Sequence, residues 1–177
     1  MAGKILLTGV PGVGKTTVIR KIAAGLGELA AGFYTEEVRE ARTRIGFDIV
    51  TLDGRRAALS RKASKSTYRV GRYGVDVRAI DSVAVSAIDD AVSRGKIVII
   101  DEIGKMELFS KAFRQSVTQA FDSPTSVIAV IMLKAHPFAD GIKHRQGVTT
   151  IEVTESNRDS LPQEILSDLD FSSGYQE

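Results

Sequence analysis

Residues 9–16 read Gly9-Val10-Pro11-Gly12-Val13-Gly14-Lys15-Thr16, with Thr17 next, and they satisfy the spacing G-x-x-x-x-G-K-[ST] in full. Before them, residues 4–8 are a short apolar run stopped by glycine, which reads as a buried strand. After them, Val18, Ile19, Ile22, Ala23 and Leu26 recur at helical spacing, and Gly27 stands where a helix would stop. Strand, glycine-rich loop, helix is the order in which backbone amides can close around phosphate. Glycines let successive N–H groups turn inward without a Cβ clash. The helix aims its partial positive N-terminus at the same point. In this pattern Lys15 reaches the β- and γ-phosphates and the Thr16 hydroxyl ligates Mg²⁺. Thr17, one residue further into the helix, lies within reach of the α-phosphate. Gly9 to Thr16 is therefore expected to hold a nucleoside triphosphate with Mg²⁺.

Such a loop needs a partner acid. Residues 97–100 are a continuous apolar run that ends in Asp101 and Glu102, placing both carboxylates at the ligand-binding edge of a parallel sheet. Asp101 is expected to hold the Mg²⁺ directly or through water. Glu102, beside it, is placed to orient or polarise a water for in-line attack on the γ-phosphate, which a mere nucleotide binder would not require. The turn continues through Ile103 and Gly104 to Lys105, which either neutralises charge on the γ-phosphoryl oxygens or is a surface lysine. Near the C-terminus, residues 154–159 link the last strand to the last helix at the same sheet edge. There Asn157 is a candidate to hydrogen-bond a base and Arg158 to stack on one, the alternative being a polar helix-entry loop. The N-K-x-D pattern that specifies guanine is absent.

Between these landmarks the pattern changes and then returns. Residues 33–39 and 45–52 are β-type segments about a polar link at 40–44, with a turn at Asp53-Gly54 and another short strand near 57–59. We read an antiparallel hairpin, roughly residues 32–60, inserted beside the main sheet, and a loop over 62–74. Ile80, Val83, Ala84, Ala87, Ile88, Ala91 and Val92 mark one helix face ending at Gly95. Ser110 is placed to cap a helix burying Phe113, Val117, Ala120 and Phe121. Residues 127–133 and 148–153 read as strands, and Ser160-Leu161-Pro162-Gln163 has capping-box spacing for a last helix. Residues 171–177 are expected to fray. Apolar strands alternating with amphipathic helices predict one α/β domain over 1–177, a mostly parallel sheet covered on both faces.

Composition narrows the function classes. A formal net charge of +2 is too small to imply nucleic acid or a membrane surface. The distribution is uneven: residues 54–78 carry eight Lys or Arg against one acid, facing either polyphosphate or solvent. Within that stretch Arg69 and Arg72 are best placed for a mobile contact to phosphate. With no cysteine there is no disulfide, zinc-thiolate site or cysteine nucleophile. His136 and His144 read as loop or surface residues. No apolar stretch approaches a signal-peptide core or a membrane span, so a cytoplasmic monomer is expected.

Several segments together resemble a known family. Residues 9–17, 32–39, 46–50, 70–77, Asp101-Glu102-Ile103-Gly104-Lys105-Met106-Glu107 and Asn157-Arg158-Asp159 are similar, in the same order, to the THEP-type nucleoside-triphosphatases, relatives of the cancer-related nucleoside-triphosphatase of animals. The stretch 101–107 is the most family-specific. The resemblance implies a RecA-like, kinase-related P-loop fold with slow Mg²⁺-dependent hydrolysis of ATP, GTP and other triphosphates, and it raises Glu102 and Lys105 as catalytic candidates beside Lys15 of the phosphate loop. Two rival readings remain: a P-loop kinase passing the γ-phosphoryl group to a nucleotide, metabolite or nucleic-acid end, and a nucleotide-gated binding module.

Overall fold

Each apolar run found above pairs with another in the computed structural model, which describes residues 3–170. The chain forms β1 (Lys4–Thr8), α1 (Lys15–Leu26), β2 (Ala30–Glu40), β3 (Thr43–Thr51), β4 (Arg56–Arg61), β5 (Arg69–Val70) and β6 (Tyr73–Val75). It continues with α2 (Val77–Ala79), α3 (Ser86–Ser93), β7 (Ile97–Ile103), α4 (Lys111–Asp122), β8 (Val127–Ile131), α5 (Pro137–Lys143), β9 (Val148–Glu152) and α6 (Leu161–Asp170). Among the described residues all nine strands join one sheet in the order β5-β6-β4-β3-β2-β7-β8-β1-β9.

The sheet has two halves. β7, β8, β1 and β9 pair in parallel, and the first residues of β2 join them, Ala30 opposite Ile97 through Phe33 opposite Ile100. β8 separates the strand that delivers the phosphate loop from the strand that delivers Asp101. Successive residues of the central strands bury on opposite faces. Leu6, Val98 and Ile100 pack with Ile88, Phe113 and Val117. Leu7, Ile99 and Ile128 pack with Val18, Ile22 and Ile165. Helices on both sides explain why these strands are apolar throughout.

The predicted hairpin is present but is continuous with the main sheet. β2 leaves its parallel pairing at Phe33 and goes on antiparallel to β3, so one strand serves both halves. Gly32 permits this approach, since a Cβ there would collide with the Ile99 carbonyl oxygen. The turn is tighter than the polar link suggested. Ala41 and Arg42 take left-handed φ of 43° and 67°, the geometry of a two-residue hairpin turn, without the glycine or asparagine that would announce it. Residues 62–74 are not wholly loop, because β5 and β6 form a small ladder about Gly71. Arg69 braces it, donating to the carbonyls of Ser64 (2.9 Å) and Arg72 (2.8 Å).

Other local readings divide. Ser110 caps α4, accepting from the Phe113 amide at 2.9 Å. The helix over 77–93 starts on Asp76, whose carboxylate accepts from the Ala79 amide, and is π-helical over Ile80–Val85. α5 was not expected: only Ala139 and Ile142 are buried on its seven residues, too few for a periodic signal. His136 opens it, Nδ1 accepting from the Phe138 amide at 3.2 Å. The capping box at Ser160 does not form, because that hydroxyl donates back to the Asn157 carbonyl. The expected frayed tail at 171–177 lies outside the described residues. No described helix is long and apolar enough to cross a membrane.

Candidate active site

The loop between β1 and α1 is shaped by glycine. Gly9, Gly12 and Gly14 hold φ of 144°, 81° and 112°, a region other residues rarely enter. At Gly9 a Cβ would also stand 2.7 Å from the Val153 carbonyl oxygen, so no side chain fits. Gly14 caps α1 with no side-chain hydrogen bond, and the first amides of the helix face the loop instead. Val13 is buried in the core and Val10 points to solvent, so both serve the loop through backbone alone. Lys15 Nζ folds across it, donating to the carbonyls of Gly9 (2.9 Å) and Val10 (3.0 Å).

β7 extends past the predicted end and carries Asp101 and Glu102 as its own residues. Asp101 is only 1% exposed. Burial first, and the Glu102 charge second, push its carboxyl up to about 7, while the Thr16 hydroxyl, the Thr35 amide and the Lys15 charge pull the other way. Burial likewise raises Glu102, opposed by Lys15. A third acid was not singled out as a site residue. Glu107, 3% exposed, sits on the 3₁₀ turn Glu107–Phe109. Burial raises its carboxyl well above the usual range, Glu102 and Asp101 add to the rise, and the amides of Glu107 and Gly104 oppose it. An acid in so short a turn reads as a surface residue, so only its place in the family motif marked it.

The turn between these acids is closely fitted. Gly104 is needed for room as well as for bending, since a Cβ there would stand 2.9 Å from both Cγ and Cδ of Glu102. Ile103 is fully buried in the core and offers the site its backbone only. Lys105 is exposed and lines the site.

Loop and acids meet in one cavity of about 1000 Å³, lined by Pro11, Gly12, Gly14, Lys15, Thr16 and Thr17 on one side and by Asp101, Glu102 and Glu107 below. Arg20, one turn beyond Thr16, also lines it, and its spacing on α1 is the sequence signal for that place. Its guanidinium lies over the Tyr34 ring at 4.5 Å and pairs with Glu36 at 3.3 Å. Arg69 and Arg72 do not line the cavity. In the rest of the basic stretch, Arg55 pairs with Asp53, Arg56 with Glu36 and Asp48, and Arg61 with Asp48, so hairpin acids neutralise the arginines nearest the sheet.

The 154–159 loop stands beside the phosphate loop. Arg158 Nη1 donates to the Val13 carbonyl at 3.1 Å. The Asn157 amide braces its own turn, accepting from the Thr154 amide (2.8 Å) and donating to the Glu152 carbonyl (2.9 Å).

Residues 4–166 match the family model described as NTPase. A curated relative, nucleoside-triphosphatase THEP1 of Thermotoga petrophila, is 49% identical over 171 residues, covering 97% of this chain and 95% of that protein. The crystal structure of THEP1 from the hyperthermophile Aquifex aeolicus superposes with a TM-score of 0.88 at 44% identity, over 94% of this chain and 99% of that one. The solution structure of a human cancer-related nucleoside triphosphatase gives 0.84 at 40% identity, over 98% and 100%. Sequence, sheet and loop agree, and the chain belongs to the NTPase family that includes the THEP1 and cancer-related nucleoside-triphosphatases.

Proposed function

We propose that this chain hydrolyses the β–γ bond of ATP, GTP and other nucleoside triphosphates, releasing the diphosphate and inorganic phosphate. The observation that carries the reading is that the phosphate loop and a second carboxylate, Glu102, line the same cavity. The relatives' names as nucleoside-triphosphatases support hydrolysis over transfer to an acceptor.

The residues fit a Mg²⁺ ion. Among the described residues Asp101 Oδ2 is buried with no hydrogen-bond partner, an expensive arrangement unless a cation satisfies it, and the Thr16 hydroxyl adjoins the same carboxylate. Thr16 and Asp101 would hold the ion, which when bound neutralises charge on the phosphate oxygens. Lys15 exchanges the carbonyls of Gly9 and Val10 for the β- and γ-phosphates, and the loop amides hold the phosphates in line. Glu102 orients the attacking water and takes its proton as the new P–O bond forms. The bond to the β-phosphate oxygen breaks, and the diphosphate leaves with the electron pair. Burial raises the proton affinity of Glu102 above that of an ordinary carboxylate, which makes it a stronger proton acceptor for this transfer. Lys105 supports the γ-phosphoryl charge. Arg158 stacks on the base, and Asn157 holds the loop that presents it. The reading takes the enzyme as a cytoplasmic monomer.

Phosphate release from ATP and GTP with Mg²⁺ and no acceptor tests this, with Glu102→Gln alongside. Turnover lost in the variant with nucleotide binding intact supports the assignment. Unchanged turnover in the variant would remove Glu102 from the water, and binding without turnover in the wild type would favour a kinase or a gated module.

A further inference from the structure

The cavity is larger than a triphosphate requires. About 1000 Å³ would hold a whole drug-sized ligand, and three phosphates fill a fraction of it. The remainder has a different character. Its wall is mainly apolar and drawn from separate elements: Phe47 of β3, Leu59 of β4, Val70 of β5, Met106 on the acidic turn, and Met132 and Leu133 after β8. Glu36 and Glu37 of β2 also line the cavity, each neutralised by arginines, Arg20 and Arg56 on Glu36 and Arg39 and Arg44 on Glu37. Phe47 is held by Tyr73, ring against ring at 5.6 Å. Two exposed lysines, Lys105 and Lys134, line the same space, and neither has an ion pair or hydrogen bond among the described residues.

The position of this hollow excludes the substrate's own base. Along the loop, Thr17 marks the α-phosphate end and Lys15 the γ-phosphate end. Ribose and base follow the α-phosphate, whereas the apolar wall takes Met106 from the turn that carries Glu102 and Glu107. The loop at 154–159, where Arg158 waits for a base, does not line it. An apolar wall beside the unneutralised Lys134 ammonium fits a flat apolar body carrying an anion: the wall takes the ring and Lys134 takes the charge, Lys105 being left to the γ-phosphate.

We infer that this hollow is a second small-molecule site, selective for an aromatic or heterocyclic ring bearing a phosphate monoester, occupied together with the triphosphate. It rests on the placement of the triphosphate given above. A ligand seated there stands on the γ-phosphate side of Glu102, where the attacking water must enter, so its binding sets the rate of hydrolysis.

Calorimetry on the full chain, loaded with Mg²⁺ and a non-hydrolysable ATP analogue, tests it with AMP, GMP and phenyl phosphate as probes. Ribose 5-phosphate serves as the ringless control and adenosine as the uncharged one. We expect at least one of the three probes to bind saturably, one per chain, without displacing the analogue. AMP or GMP alone would mean a nucleotide site, and phenyl phosphate as well would mean a general aryl phosphate site. Lys134→Ala should weaken that probe by about tenfold, the effect of losing one charge-assisted contact, while analogue affinity stays unchanged. Phe47→Leu should weaken it while the fold, checked by circular dichroism, is retained. No saturable binding, equal binding of ribose 5-phosphate, or loss of binding on loading with the analogue would overturn the second site. Phosphate release from ATP, measured on the same preparation, distinguishes this failure from failure of the hydrolase reading.

Discussion

The two sides of the cavity are built on opposite plans. On one side, the phosphate loop acts through its backbone: three glycines with positive φ turn amides inward, and the side chains of Val10 and Val13 point elsewhere. On the other, the turn at 101–107 acts through side chains: three carboxyl groups are buried together against their own tendency to ionise. Backbone amides are partial charges fixed by the fold, and they bind phosphate without changing state. Buried carboxyl groups have proton affinities set by their surroundings, and they can accept a proton or a cation. Binding and chemistry thus fall to different parts of the chain, and substitutions should separate them.

Glu102→Gln gives the largest separation. Removing a general base should lower kcat by roughly 10²–10⁴-fold and leave the nucleotide dissociation constant nearly unchanged, as equilibrium titration beside phosphate release would show. An equal loss in both would merge the two plans. Gly104→Ala is next. Its new methyl displaces the Glu102 side chain without touching the loop, so kcat should fall by up to roughly 10²-fold, as for a 1 Å misplacement, with KM little changed. Gly9→Ala does the reverse. It forces a Cβ against the Val153 carbonyl in a backbone region closed to alanine, costing about 1–3 kcal/mol. Urea unfolding and nucleotide titration should both show that cost, while the turnover of bound substrate changes least.

The same contrast explains what could be read in advance. A backbone site needs glycines at fixed spacing, so Gly9 to Thr16 was legible residue by residue, as were the apolar strands and helix faces around it. A side-chain site depends on which residues the fold buries together. Asp101 and Glu102 were legible because they end an apolar run, but Glu107 lies on a single 3₁₀ turn with no periodicity. Arg20 and Tyr34, 14 positions apart in sequence, meet only when β2 crosses beside α1. The continuity of β2 through both halves of the sheet was hidden for a related reason. Local pattern shows that a segment is a strand, whereas its partners change at Phe33 through contacts with β7 and β3, 46 or more residues apart in the chain.

Glu107 gives the smallest and most specific test, because it separates the acidic turn from the loop by pH alone. Its usual value is 4.5, and burial raises it well above that in the folded protein. The folded state therefore holds the proton more tightly than the unfolded chain does. The stability contributed is complete below about 4.5 and is lost as pH rises toward the folded value. In Mg²⁺-free protein, Glu107→Gln removes the ionisation and keeps an acceptor for the Gly104 amide. The variant should melt close to wild type at pH 4.5 and above it at pH 8, by ~2–4 °C for each kcal/mol of relief. Gly9→Ala, which involves no ionisable group, should instead lower the melting temperature by a similar amount at both pH values. A Glu107→Gln difference that did not grow with pH would mean that the buried acid is already neutralised by a partner.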